Sequence, residues 1–191
     1  MKPIERSELL DLGAYEQLRE RFRARVIAVK RPRYVALGPA MTVLFENRDT
    51  VLFQVQEMLR TERITQEKAI QHELETYNEL IPSERELSAT IFIEYPDKDE
   101  RERMLVALAG VEDDFYLLAG NERFAVIPDR RGSEPDRTMA VQYVKFPLSQ
   151  AAVAALVGGS LGLKLGVEHP AYRAETTLAA DTLASLRDDF A

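Results

Sequence analysis

The sequence predicts an α+β fold: a mixed, largely antiparallel sheet, a central antiparallel helical hairpin, and further helices packed on one face of the sheet. Three observations carry this. Helical and strand-like periodicities alternate along the 191 residues, as they do where helices cover one side of a sheet. Two consecutive segments in the middle of the chain bear matching apolar stripes at helical spacing, joined by an interval that leaves room only for a tight turn. Two β-like runs flank Gly120-Asn121, the pattern of a hairpin. The length fits a single domain spanning residues 1–191, with enough chain to bury a sizeable core.

Taken in order, Ser7-Glu8 begins a short helical turn that breaks near Gly13. A long helix follows, with Tyr15, Leu18, Phe22, Val26 and Val29 at helical spacing, and Pro32 stops it. Tyr34 to Leu37 and Met41 to Phe45 are β-like, separated by Gly38-Pro39. After the hairpin, Ser88 to Tyr95 is apolar on both faces and belongs in the middle of the sheet. Asp97 and Glu100 form a capping-box start for the helix bearing Met104, Leu105 and Leu108, with Gly110 as its stop. Phe115 to Ala119 and Arg123 to Ile127 make the hairpin, and Pro128 to Arg137 is an exposed loop. Ala140 to Leu148 is a further strand, after which Ser149 caps a short alanine-rich helix. Leu163 to Val167 and Tyr172 to Leu178 are strands turning at His169-Pro170, and Asp181 caps a last helix with Leu183, Leu186 and Phe190.

The central hairpin comprises Val51–Ile64 and Thr65–Ile81. Val51, Leu52, Val55, Met58 and Leu59 line one side of the first helix, and Ile70, Leu74, Tyr77 and Ile81 line the second. Thr65 is the expected cap of the second helix and Pro82 its stop. Glu62 and Glu73 fall inside these apolar arcs. A carboxylate buried there needs a partner, so Glu73 is expected to be largely buried and bonded to a basic or amide group.

Composition narrows the chemistry. With no cysteine, disulfides, thiolate catalysis and cysteine-held metal centres are excluded. The N-terminal residues lack the apolar core of a signal peptide and no apolar run reaches membrane-spanning length, so a cytoplasmic protein without membrane contact is expected. A net charge of −7 argues against nucleic-acid binding by bulk charge. Charge is unevenly placed, however. From Arg19 to Arg33 seven basic residues stand against one acid, and from Glu62 to Glu102 twelve acids stand against five basic residues. Alternate residues of a helix point about 200° apart. Arg19, Arg21, Arg23 and Arg25 therefore cannot meet one flat anion, and most are expected to pair with the Glu62–Glu102 acids, in the same chain or in a second copy forming a homodimer.

No phosphate-binding loop, dinucleotide fingerprint or nucleophile elbow is present. Of the two histidines, His72 stands three residues before Glu75, the reverse of the Glu-x-x-His order of di-iron helical sites, and reads as an exposed helix histidine among acids. His169, beside Pro170, reads as a turn residue. The densest polar inventory lies on the central helices, where Arg48, Gln54, Glu57, Arg60, Glu62, His72, Glu73 and Glu75 form the candidate functional surface.

The run Phe-Glu-Asn-Arg-Asp-Thr-Val-Leu-Phe-Gln-Val-Gln-Glu-Met-Leu-Arg-Thr-Glu-Arg-Ile, with His-Glu-Leu-Glu-Thr-Tyr-Asn-Glu-Leu-Ile-Pro after it, resembles a bacterial family of uncharacterised proteins known as a domain of unknown function. The similarity extends from Ile4-Glu5-Arg6 to His169-Pro170-Ala171-Tyr172. The resemblance implies a redox or oxidative-stress setting, because genes of that family often neighbour those of rubrerythrin-like di-iron proteins and iron–sulfur oxidoreductase subunits. It implies no catalytic residue. The expectation is an accessory protein without a cofactor that docks onto such a redox partner through the charged faces of the Val51–Ile81 hairpin. The alternative is an enzyme or metal-handling protein using Glu57, Glu62, His72, Glu73 and Glu75.

Overall fold

The computed structural model describes residues 1–131 and 134–190. Asp11 caps α1 (Leu12–Lys30) by accepting from the Ala14 amide at 2.9 Å, so Gly13 sits inside the first helical turn and breaks nothing. Pro32 ends α1 as expected, in a 3₁₀ turn over Arg31–Arg33. β1 (Tyr34–Ala36) and β2 (Met41–Glu46) pair antiparallel. In α2 (Arg48–Thr61), Asn47 and Thr50 exchange side-chain hydrogen bonds with each other's amides, a reciprocal cap. α3 (Glu67–Asn78) begins after Gln66, so Thr65 stands one residue outside the position needed to cap it. β3 (Glu86–Ile93) precedes α4 (Lys98–Ala107), which Asp97 caps from the Glu100 amide at 2.8 Å.

β4 (Phe115–Ala119) and β5 (Glu122–Ala125) form the hairpin at Gly120-Asn121. β6 (Ile127–Pro128) follows directly, then β7 (Val141–Pro147), α5 (Gln150–Val157), β8 (Leu163–His169), β9 (Tyr172–Thr177) and α6 (Ala180–Arg187). Ser149 caps α5 as expected. The cap position of α6 is Ala179, which leaves Asp181 within the first turn.

The α+β class holds, but the expected sheet is two. One has the order β1-β2-β3-β7-β6 and the other β5-β4-β8-β9, and every strand pairing among the described residues is antiparallel. The chain passes from one sheet to the other through Val126, so β5 and β6 form nearly one run that changes sheets, as at the corners of a sandwich. Tyr172 of β9 joins the sheets on another side, donating to the Leu37 carbonyl at 2.7 Å and accepting from the Ala40 amide at 3.1 Å. Gly38 makes room for it: φ is +72°, and a Cβ there would stand 2.5 Å from the Tyr172 hydroxyl.

Alternation along the strands decides where the core lies. Phe45, Ala89 and Val144 are register neighbours across β2, β3 and β7. They meet Phe115, Leu117, Leu163 and Leu165 of the other sheet in one buried cluster. Each of the larger side chains, the valine, leucines and phenylalanines, contributes roughly 1.5–3 kcal/mol when fully buried. β3 lies mid-sheet, as its two apolar faces predict.

A second cluster of Ile4, Leu9, Val51, Val55, Leu59, Ile70, Leu74, Leu80 and Ile81 binds the helices together. Tyr143, which alternates with Val144 on β7, packs against it, so α2 and α3 cover the opposite face of the first sheet. The hairpin is therefore present, with Glu62–Gln66 as its connection. No described helix is long and apolar enough to cross a membrane.

Candidate functional site

The polar residues that the sequence nominates on α2 and α3 go to separate places. Arg48 opens α2 and fastens the N-terminal segment, donating to the Lys2 carbonyl at 3.0 Å and pairing with Glu8. Glu57 faces α1, where it accepts from Arg19 Nε and Nη2 at 2.8 and 2.9 Å and from the Tyr15 hydroxyl at 2.8 Å. Arg60 stands beside it, 3.4 Å from Oε1. The Arg19 guanidinium, aided by the Tyr15 and Arg60 bonds, holds the Glu57 carboxyl down at about 2 against the opposing effect of burial. Burial, then Glu57 itself, pushes the Tyr15 hydroxyl up.

Glu62 is exposed, because α2 ends at Thr61 and the chain reverses through Arg63 at φ +52°. Glu73 is half-buried and has no hydrogen bond or ion pair among the described residues, so the expected buried partner is absent. The buried stripe of α3 is narrower than its apolar arc: Ile70 and Leu74 alone are buried, and Glu73 reaches the rim. His72 and Glu75 lie exposed on the outer side of α3, where Glu75 accepts from the Gln71 amide at 3.0 Å. Gln54 lies at the sheet side of the hairpin, beside Tyr77 and Tyr143. Among the described residues, no three His, Asp or Glu side chains converge as metal ligands would.

α1 behaves differently from the hairpin. Although 19 residues long, it buries only Tyr15 and Val26 among the described residues. Phe22 stacks on Phe53 of α2 at 6.2 Å between centroids, and Lys30 lies over the same ring. Arg19 and Arg25 pair with Glu57 and Asp49, both on α2. The acids therefore come from outside the expected Glu62–Glu102 stretch, because α1 packs along α2. Arg21, Arg23 and Arg31 are exposed and form no ion pair or side-chain hydrogen bond among the described residues. Ile27 is 54% exposed on the same helix.

A cleft opens where the end of α3 meets β7 and the turn after β6. Leu80 is its apolar floor, Tyr143 and Lys145 rise from β7, and Asp129 and Arg131 form the far wall. The space measures about 350 Å³, and an adjoining pocket of about 230 Å³ shares Leu80, Asp129, Arg131 and Tyr143 and adds Tyr77. Arg131 is clamped by Asp129, whose two oxygens accept from Nε at 2.9 and 2.8 Å, and its Nη1 lies 3.2 Å from Glu79. That guanidinium holds the Asp129 carboxyl below its usual range. Burial pushes the hydroxyls of Tyr77 and Tyr143 up, with Gln54 opposing both shifts. Lys145 Nζ lies 2.7 Å from Glu86.

Residues 3–190 match the family described as protein of unknown function, DUF3501. The chain belongs to the DUF3501 family. The resemblance noted on the central motif is thereby placed, and an uncharacterised domain family is what it proves to be. This DUF3501 chain is also similar to a novel protein of unknown function from Burkholderia pseudomallei K96243, known from a crystal structure at 1.90 Å resolution. The two share 36% identity over 100% of both chains, with a TM-score of 0.93. No curated protein matches the sequence.

Two features of this DUF3501 protein lie outside what the sequence discloses. Arg33 is wholly buried: its Nε donates to the Phe45 carbonyl at 2.7 Å, Nη2 to the Glu46 carbonyl at 3.0 Å, and the guanidinium pairs with Asp189. Burial raises the Asp189 carboxyl while Arg33 pulls it down. The pair sutures the C-terminal end of the fold to β2, and in sequence its partners are 156 residues apart. The cleft is the other: Tyr77, Arg131 and Tyr143 converge only through tertiary packing. The one local signal is Tyr143, an aromatic that shares a strand face with Lys145.

Proposed function

We propose that this DUF3501 protein is a cytoplasmic accessory protein that binds a redox partner, docking the basic outer side of α1 onto an acidic surface of a rubrerythrin-like or iron–sulfur protein. One observation carries the reading. α1 leaves most of its surface uncovered, and from Arg21 to Arg31 that surface holds five basic residues and no acid. A helix C-terminus favours cations, which accounts for Lys30 and Arg31. It does not account for Arg21 and Arg23, two turns or more from the end, nor for the exposed Ile27 between the charges. Arginines around an exposed aliphatic side chain are the composition of a protein contact surface, and complementary charge there speeds and orients encounter.

Arg21 and Arg23 diverge by about 200° on the helix, so one phosphate line cannot follow both, whereas a concave acidic protein surface that wraps the exposed side of α1 can meet both. The outer side of α3 supports docking less well, because Glu67, Glu75 and Glu79 are engaged by Arg6, Gln71 and Arg131. The enzyme or metal-handling alternative has weaker support still, with Glu57 locked between α1 and α2 and His72 on the far side of α3.

The test is isothermal titration of the full chain with a purified rubrerythrin-like protein and an iron–sulfur oxidoreductase subunit from the same organism. One of them should bind, more weakly as salt rises, and Arg21→Glu/Arg23→Glu should lose at least about tenfold in affinity. Failure of both to bind, or equal binding by the charge-reversed variant, would reject the proposal.

A further inference from the structure

The cleft beside α3 has the makings of a ligand site that is independent of α1. Its polar groups are positioned in advance. Asp129 grips one edge of the Arg131 guanidinium through three contacts and so fixes the plane of the group. Among the described residues the other edge meets Glu79 alone, whose side chain is 65% exposed and easily displaced.

Tyr77 and Tyr143 present two half-buried phenols, which are protonated at neutral pH as every ordinary tyrosine is and can donate hydrogen bonds. The amide of Gln54 stands beside both. Leu80 and Ile127 supply apolar contact next to these donors. One guanidinium edge and two neutral donors match a single planar negative charge. A dianion would be opposed by Asp129, in the same wall as Arg131, while Lys145 and Arg130 are already paired with Glu86 and Asp113.

We propose that this cleft binds a small organic carboxylate, with Arg131 and the phenols of Tyr77 and Tyr143 holding the carboxylate and Leu80 and Ile127 packing against its apolar portion. The volume of about 350 Å³ lies at the small end of ligand pockets, so the apolar portion is no larger than a single ring or short chain. Glu79 swings into solvent as the ligand enters.

Benzoate is the probe, titrated into the full chain by calorimetry and by NMR observation of the tyrosine rings, with benzamide and inorganic phosphate as comparators. Benzoate should bind saturably and shift the Tyr77 and Tyr143 signals, and benzamide and phosphate should bind at least about tenfold more weakly, the scale of one charge-assisted pair. Arg131→Met, at a residue half exposed to solvent, should keep the melting temperature and lose about the same factor for benzoate, and Tyr143→Phe should lose less. The proposal is overturned if benzoate fails to saturate, if benzamide or phosphate binds as well, or if Arg131→Met, still folded, binds benzoate like the unaltered chain.

Discussion

α1 and α2 lie side by side and share an interface, but they use their surfaces in opposite ways. α2 buries Thr50, Val51, Val55, Gln56 and Leu59 in 14 residues, sandwiched between α1 and the first sheet. α1 buries Tyr15 and Val26 in 19. Charged residues follow the same division. Asp49 and Glu57 of α2 face arginines, whereas Arg21 and Arg23 of α1, and Arg31 just past its end, face solvent. The lesson is that a dense polar inventory is no guide to a site. The charges of α2 hold helices together, and those without a partner among the described residues lie on the exposed side of α1 and at its end.

The sharpest way to break this comparison is to remove apolar contacts on either side of it. Leu59→Ala should cost about 2–5 kcal/mol by urea denaturation, since the side chain is 2% exposed within the helical cluster. Ile27→Ala on α1 should stay within about 0.5 kcal/mol. A large loss at Ile27 would mean that α1 is anchored by its outer side after all.

Glu57→Gln comes next, with an expected cost of about 1–3 kcal/mol, because the Arg19 and Tyr15 donors lose their charged acceptor. The pH dependence has a definite sign. The folded Glu57 carboxyl titrates at about 2, below its ordinary value of 4.5, so the unfolded chain takes up the proton first as pH falls. Its stabilisation is complete above about 4.5 and disappears as pH falls through about 2. Equilibrium unfolding across that window should show a shallower acid decline in Glu57→Gln.

Smaller still is Arg25→Ala, which removes a pair to Asp49 with a largely exposed arginine and should cost about 0–1 kcal/mol, less at high salt. At the bottom of the scale, Arg21→Glu/Arg23→Glu should leave the urea midpoint nearly unchanged. A marked loss of stability there would show that these arginines serve the fold.

Much of the fold was legible in the sequence because it rests on local periodicity. The helical stripes of Val51–Leu59 and Ile70–Leu74, the caps at Asp97 and Ser149, and the hairpin at Gly120-Asn121 are set by neighbours a few residues apart. Strand pairing is not local. Alternation marks Phe115–Ala119 and Val141–Pro147 as strands but says nothing about whether they share a sheet, and the single residue Val126 carries the chain between the two. Glu62 and Glu73 misled for a related reason. A helical wheel assigns an arc without knowing that α2 stops at Thr61 or that α3 touches the core along a narrow strip. The cleft was illegible because Tyr77, Arg131 and Tyr143 come from three elements.

The division between α1 and α2 is tested most directly by methyl cross-saturation, with the redox partner as the saturated species and the DUF3501 chain carrying labelled methyl groups. The Ile27 methyls of α1 should lose intensity, and those of Val55 and Leu59 on α2 and of Leu74 on α3 should not. Transfer centred on α3 methyls, with Ile27 untouched, would contradict the assignment of the docking surface to α1.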